Sequence, residues 1–300
     1  MPAMSSPSDP PGEFGSYLDW SDQGRATVFA YTFGAVLALL AVLVFSGFGV
    51  LVATIADPGY ESSPLVSNAA LFAGFAVPFL AVPGIVRWLN RRPGWSVAMP
   101  QLRYEGWNLW VGFGVGVAVG LVAIAVAGVL GAVDLRYAGF DWSLLLPLVL
   151  VGFIGIFIQA GAEEMVFRGY LTQFARRFTA RPWLFIGIPA ILFALPHAGN
   201  IAAYSGNPLV LAPYLTAGLL YGWAAYRSGS LWLSLGLHLS NNLSGLVLVG
   251  TAGDVIRTAA PLTIEPPSLM VVTLLIAVQA LVTVAVLEWL LRRRGVAAAP

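Results

Sequence analysis

Three short stretches of a strongly apolar chain carry groups able to hold or move protons. Glu163, Glu164 and Arg168 fall within AEEMVFRG, His197 closes FALPH, and His238 and Asn242 lie in HLSNN. The chain has only two histidines, and both fall within or at the end of apolar runs. Ionisable groups at membrane depth cost at least about 2.5 kcal/mol each and are generally paired or functional. Helical geometry sorts them. Glu164 and Arg168 are four apart, so they stack on one face as an ion pair. Glu163 is turned by about 100° from Glu164. It can point into a cavity while Glu164 keeps Arg168, which makes Glu163 the working carboxylate and a candidate general base. Pro196 cannot donate to the carbonyl of Leu192, so the helix opens locally at His197. His238 and Asn242, again four apart, share a face. Asn242 can donate a hydrogen bond to a developing oxyanion; His238 can donate one too, or bind a metal. Each group also has a plainer role: Glu163 as a second partner of Arg168, the histidines as helix-bridging hydrogen bonders, and Asn242, like Asn241, as interhelical glue.

Elements that cross a membrane must position these groups. The 300 residues are 58% hydrophobic and 10% charged, against about 25% charged in soluble domains, so lipid is the solvent for most of the chain. There is no cysteine, which excludes disulfides, thiolate metal sites and a cysteine nucleophile. All fifteen basic residues are arginine, which excludes a Ser–Lys dyad. A net charge of +1 argues against nucleic acid or another polyanion as a partner.

The expected fold is all-α, a polytopic transmembrane bundle. Roughly 20 apolar residues span a bilayer, and eight runs qualify: 27–54, 65–88, 107–133, 143–174, 182–197, 208–226, 231–250 and 268–291. The fifth is short and the fourth long, and the fourth must reach Phe174 to bring Glu163 level with the histidines. The domain reading is a disordered cytoplasmic tail over 1–26, one transmembrane domain over 27–291 with the motifs in 143–250, and a cytoplasmic tail over 292–300. Arginines gather in alternate loops, as an even number of spans with both ends cytoplasmic predicts. Trp88, Trp107, Trp142, Trp183, Trp232 and Trp289 lie near span ends, as an aromatic belt would. Gly112, Gly114, Gly116 and Gly120 suit close helix packing.

EExxxR at Glu163–Arg168, FxxxH at Phe193–His197 and HxxxN at His238–Asn242 resemble, in order, the three motifs of the CPBP intramembrane proteases. That family includes the type II CAAX prenyl endopeptidases and the bacterial bacteriocin-immunity (Abi) proteins. The resemblance implies a helical bundle with a cavity opening to the cytoplasmic side. It implies that Glu163 and His197 activate a water for attack on a peptide carbonyl, that His238 and Asn242 stabilise the oxyanion, and that the substrate is a membrane-associated peptide or protein. The family has been described both with and without a metal. If zinc is used, His197, His238 and Glu163 are its donors; the residues themselves call for no cofactor, and the metal-free form is favoured. Other intramembrane proteases are excluded: HExxH and GxSG are absent, and Thr251 breaks GxGD ahead of Gly253–Asp254. The competing expectation is a transporter, or an immunity or scaffold protein, using the same polar cluster; no inverted repeat favours transport. The Arg-only, Ala/Gly/Val-rich composition points to a bacterial plasma membrane.

Overall fold

The computed structural model describes residues 15–203, 205–251, 258, 260–265 and 268–295. Residues 1–14 and 296–300, the ends of the expected tails, lie outside them, as do Asp254 and Arg257.

The chain is a polytopic helical bundle. Its helices are α1 (Val28–Phe45), α2 (Phe48–Ala56), α3 (Pro64–Gly74), α4 (Ala76–Trp88), α5 (Gly106–Val129), α6 (Trp142–Glu163), α7 (Thr172–Arg176), α8 (Pro182–Ala194), α9 (Asn200–Ala203), α10 (Ala212–Ser228), α11 (Trp232–Val247) and α12 (Leu269–Arg293). Seven helical segments among the described residues are long and apolar enough to span a membrane: Val28–Ala56, Pro64–Trp88, Gly106–Val129, Trp142–Arg176, Pro182–Gly199, Pro208–Ser228 and Leu269–Arg293. The fourth reaches Arg176, past the Phe174 that the motif depths require. The remaining expected span is α11, only 16 residues long. It need not match a lipid thickness, because it lies inside the bundle, with Leu233–Ser240 wholly buried.

Glycines let α11 occupy that centre. A Cβ on Gly236 would overlap the carbonyl oxygen of Leu109, and one on Gly112 the carbonyl oxygen of Leu233. Gly116 meets Ser240 and Gly120 faces Gln279 of α12, whereas Gly114 faces open space. Backbone meets backbone where α5 crosses α11, the close approach that small residues allow in lipid. Three short strands lie beyond the ends of α5 and α11: β1 (Asp134–Tyr137), β2 (Val249–Thr251) and β3 (Leu262–Glu265). β3 pairs antiparallel with β1 and parallel with β2.

The expected disordered tail is corrected from Gly15 onward. Tyr17–Asp22 form a 3₁₀ turn closed by a reciprocal capping box between Ser16 and Asp19. Tyr17, Leu18 and Trp20 are buried. Trp20 Nε1 donates to Pro100 O at 2.8 Å, Tyr31 OH to Ser21 O at 2.9 Å and Gln173 Nε2 to Tyr17 O at 2.7 Å. Tyr17 OH donates to Arg168 O at 2.8 Å, reaching 151 residues along the chain. Two large aromatics and a leucine within four residues supply the apolar area that a disordered segment lacks.

The arginines and tryptophans divide by what they touch. Arg92 is buried, its guanidinium bonded to Trp20 O and Gln173 Oε1. Trp88, Trp142, Trp183 and Trp289 are exposed as a belt requires. Trp232 packs edge-on against Tyr104, ring centroids 4.7 Å apart.

Replacing Gly236 by Val is expected to push α5 off α11 and cost at least about 1–3 kcal/mol. Gly114→Val, with nothing within 4 Å, is expected to leave the melting temperature in detergent unchanged. Equal melting of the two variants contradicts the crossing.

Candidate active site

The helix that carries the first motif changes its winding at the motif. α6 runs as an α-helix to Glu163, then Glu164–Leu171 wind as a π-helix before α7 resumes the α form. Such wide turns frequently occur at functional sites. Tyr17 OH and Thr172 Oγ1 supply hydrogen bonds to the π-helical carbonyls of Arg168 and Phe167.

Glu163 and Glu164 both keep α-helical backbone angles at the head of this turn, yet their side chains depart from the sequence expectation. Glu163 and Glu164 do not diverge; both address His238. His238 Nδ1 donates to Glu164 Oε1 at 2.9 Å, and its Nε2 lies 3.5 Å from Glu163 Oε2. Glu164 also holds the expected ion pair, 3.1 Å from Arg168 Nη1. All four groups are buried. The Arg168 guanidinium lies 4.1 Å from the centre of the Phe193 ring and 5.1 Å from that of Tyr221, contacts worth about 2 kcal/mol when desolvated. A proton on either Nε2 or Glu163 would turn this facing pair from repulsive to attractive. With that proton, two carboxylates, one guanidinium and one imidazole sum to zero charge.

The second rung of this contact contains a residue that sequence reasoning missed. Gln159, one α-turn before Glu163, is buried and accepts a hydrogen bond from Asn242 Nδ2 at 2.9 Å. Gln159 and Glu163 on α6 thus face Asn242 and His238 on α11, two i, i+4 pairs side by side. A lone glutamine in an apolar span, four residues before a glutamate, was the available signal. Asn242 retains a second amide hydrogen. Asn241, exposed, donates to Asn242 Oδ1 at 3.1 Å.

His197 sits in a 3₁₀ turn, Leu195–Gly199, that breaks α8 at Pro196. Its Nδ1 lies 3.0 Å from Phe193 O. A carbonyl only accepts, so Nδ1 carries the proton and, in the neutral ring, Nε2 keeps its lone pair. Phe193 packs between the histidines, 5.3 Å from the ring of His197 and 6.1 Å from that of His238. Zinc does not fit the side chains as placed. Among the described residues no three His, Asp or Glu are grouped to hold a metal, and both His238 nitrogens are directed at carboxylates.

Beside this cluster lies a cavity of about 440 Å³ lined by Phe79, Trp95, Phe157, Trp232, Leu235 and Glu164, among others. It is almost wholly apolar, and the buried Trp232 Nε1 has no hydrogen-bond partner. Glu164, rather than Glu163, is the motif carboxylate on its wall.

Arg168→Ala is expected to destabilise the protein by about 3–5 kcal/mol, because it leaves a buried carboxylate short of its guanidinium. Glu163→Gln, which keeps shape and hydrogen bonding, is expected to cost far less. Thermal unfolding in detergent compares them, and an Arg168→Ala protein as stable as wild type contradicts the ion pair's role.

The comparisons with known proteins point to the family that the motifs resemble. The family model described as type II CAAX prenyl endopeptidase Rce1-like matches residues 141–244, a stretch that contains Glu163, Arg168, His197, His238 and Asn242. The chain is 28% identical over 244 residues to the uncharacterized protein YyaK of Bacillus subtilis, covering 74% of this chain and 78% of that one. It is 34% identical over 164 residues to an uncharacterized 24.3 kDa protein of Escherichia coli, covering 54% of this chain and 70% of that one. No solved structure matches. The chain, a helical membrane bundle in which the first and third motifs meet at one buried cluster, belongs to the family described as type II CAAX prenyl endopeptidase Rce1-like.

Proposed function

We propose that the chain is an intramembrane endopeptidase that hydrolyses a peptide bond of a membrane-associated substrate with an activated water. The observation that carries the reading is the convergence of Glu163, Glu164 and Arg168 of the first motif with His238 of the third, 74 residues beyond Glu164, in one buried cluster.

Glu163 takes a proton from water, with His197 Nε2 accepting the water's other hydrogen and orienting it. The hydroxide attacks the carbonyl carbon, and the oxyanion forms facing His238 Nε2–H and the second amide hydrogen of Asn242. Glu164 serves this step by accepting from Nδ1, which stabilises His238 as an imidazolium. Collapse breaks the C–N bond, and the proton held by Glu163 passes to the departing amine. Water adds across the bond, and no cofactor enters the balance. The apolar cavity beside Glu164 suits a bulky apolar group of the substrate close to the scissile bond, with the Trp232 indole N–H as its polar contact. A bacterial plasma membrane with both chain ends in the cytoplasm remains the setting we favour, with peptide processing, bacteriocin immunity or surface-protein maturation as the physiological role.

The test is cleavage by the detergent-purified protein of a fluorogenic prenylated peptide and a panel of membrane peptides. Glu163→Gln and His197→Gln are each expected to lose at least about 100-fold in rate while melting near wild type. Cleavage by Glu163→Gln at the wild-type rate overturns the assignment. Loss to a chelator with recovery on added zinc overturns the metal-free reading.

A further inference from the structure

The two histidines come from separate elements, yet each lies face-on to a tyrosine of the same helix. His197 stacks on Tyr214, ring centroids 3.8 Å apart and planes inclined by 20°. His238 stacks on Tyr221, centroids 4.9 Å apart and planes inclined by 23°. Tyr214 and Tyr221 are seven residues apart on α10, two turns along one face. The Tyr214 hydroxyl accepts a hydrogen bond from Asn200 Nδ2 at 2.8 Å, and Asn200 lies three residues after His197, so the turn closes back on its own platform. The Tyr221 ring also faces the Arg168 guanidinium, which fixes it against the ion pair. Between the two tyrosines Gly218 lies against Ala190, and Gly222, next to Tyr221, lies against Ile186; a Cβ on either would crowd α8. The helix that bears the platforms is therefore seated closely on the helix that leads into His197.

A histidine ring turns broadly about its last torsion unless something holds its plane. Hydrogen bonds fix where a ring nitrogen lies, whereas a stacked ring fixes the plane. We propose that Tyr214 and Tyr221 are positioning residues for the two histidines, with Asn200 setting Tyr214. One face of α10 is the template that fixes the planes of both imidazoles and so aims their Nε2 atoms at a common point. The catalytic meaning of this template rests on the hydrolytic reading above. Its test reads the histidines themselves, so the two can fail separately.

With only two histidines in the chain, the protein labelled with ¹³C-histidine in detergent gives two Cε1–H signals, assigned with His197→Gln and His238→Gln. Tyr214→Leu is expected to move the His197 signal downfield, as loss of a stacked ring requires, and to leave the His238 signal in place. Tyr214→Phe keeps the ring and loses the hydroxyl bond, and Asn200→Ala loses the same bond; both are expected to give a smaller shift of the His197 signal alone. Tyr221→Leu is expected to move the His238 signal instead, with Tyr221→Phe restoring it. Tyr214→Leu leaving both signals in place, moving both alike, or acting no differently from Tyr214→Phe overturns the proposal. If Tyr214→Leu does not fold, Asn200→Ala decides: a shift confined to His197 supports the template, and unmoved or equally moved signals overturn it.

Discussion

A buried imidazole held between two carboxylates governs the arrangement around it. Without a proton on His238 or Glu163, the cluster of Glu163, Glu164, Arg168 and His238 would carry a net negative charge away from water. In a membrane protein that cost is met by pairing and hydrogen bonding. His238 meets it by donating from Nδ1 to Glu164, and its Nε2 lies 3.5 Å from Glu163, where one further proton would neutralise the cluster. The same contacts hold the ring nitrogens beside both motif carboxylates, so charge compensation and positioning use one set of atoms.

The rest of the bundle holds that set in place. The close crossing of α5 and α11 at Gly112 and Gly236 seats His238 in the protein interior. Glu163 and Glu164 reach the same partner at the head of the π-helical turn, and the N-terminal turn reaches back through Tyr17 to one of its carbonyls. Arg92, bonded to Trp20 and Gln173, ties that turn to the end of the motif helix. A segment far from the motifs in sequence thus supports the backbone on which they stand.

Much of this was legible in the sequence because the bilayer imposes a strong pattern. Apolar runs placed the helices to within a few residues, and i, i+4 spacing gave the Glu164–Arg168 pair directly. Four things were hidden. Glu163 and Glu164 converge because α11 sets one imidazole within reach of both, a long-range contact that local periodicity does not reveal. The N-terminal turn was read as a polar tail because Pro and Ser dominate its surroundings, although Ser16, Tyr17, Asp19 and Trp20 spell a capped, anchored turn. Arg92 and Arg227, two of the arginines that gather in alternate loops, are both buried; Arg227 is bonded to Glu288 of α12 at 2.8 Å. Gln159 stayed unnoticed because it lies outside the three motifs and carries no charge.

The account depends most directly on the bond between Glu164 and His238. A double-mutant cycle on Glu164→Gln and His238→Gln, read by thermal unfolding in detergent, isolates it. The structure predicts a coupling of about 0.5–3 kcal/mol, as for groups in one hydrogen-bonded network. Losses that add to within about 0.3–0.5 kcal/mol would mean that the first and third motifs do not meet, and the shared cluster on which the hydrolytic reading stands would not exist.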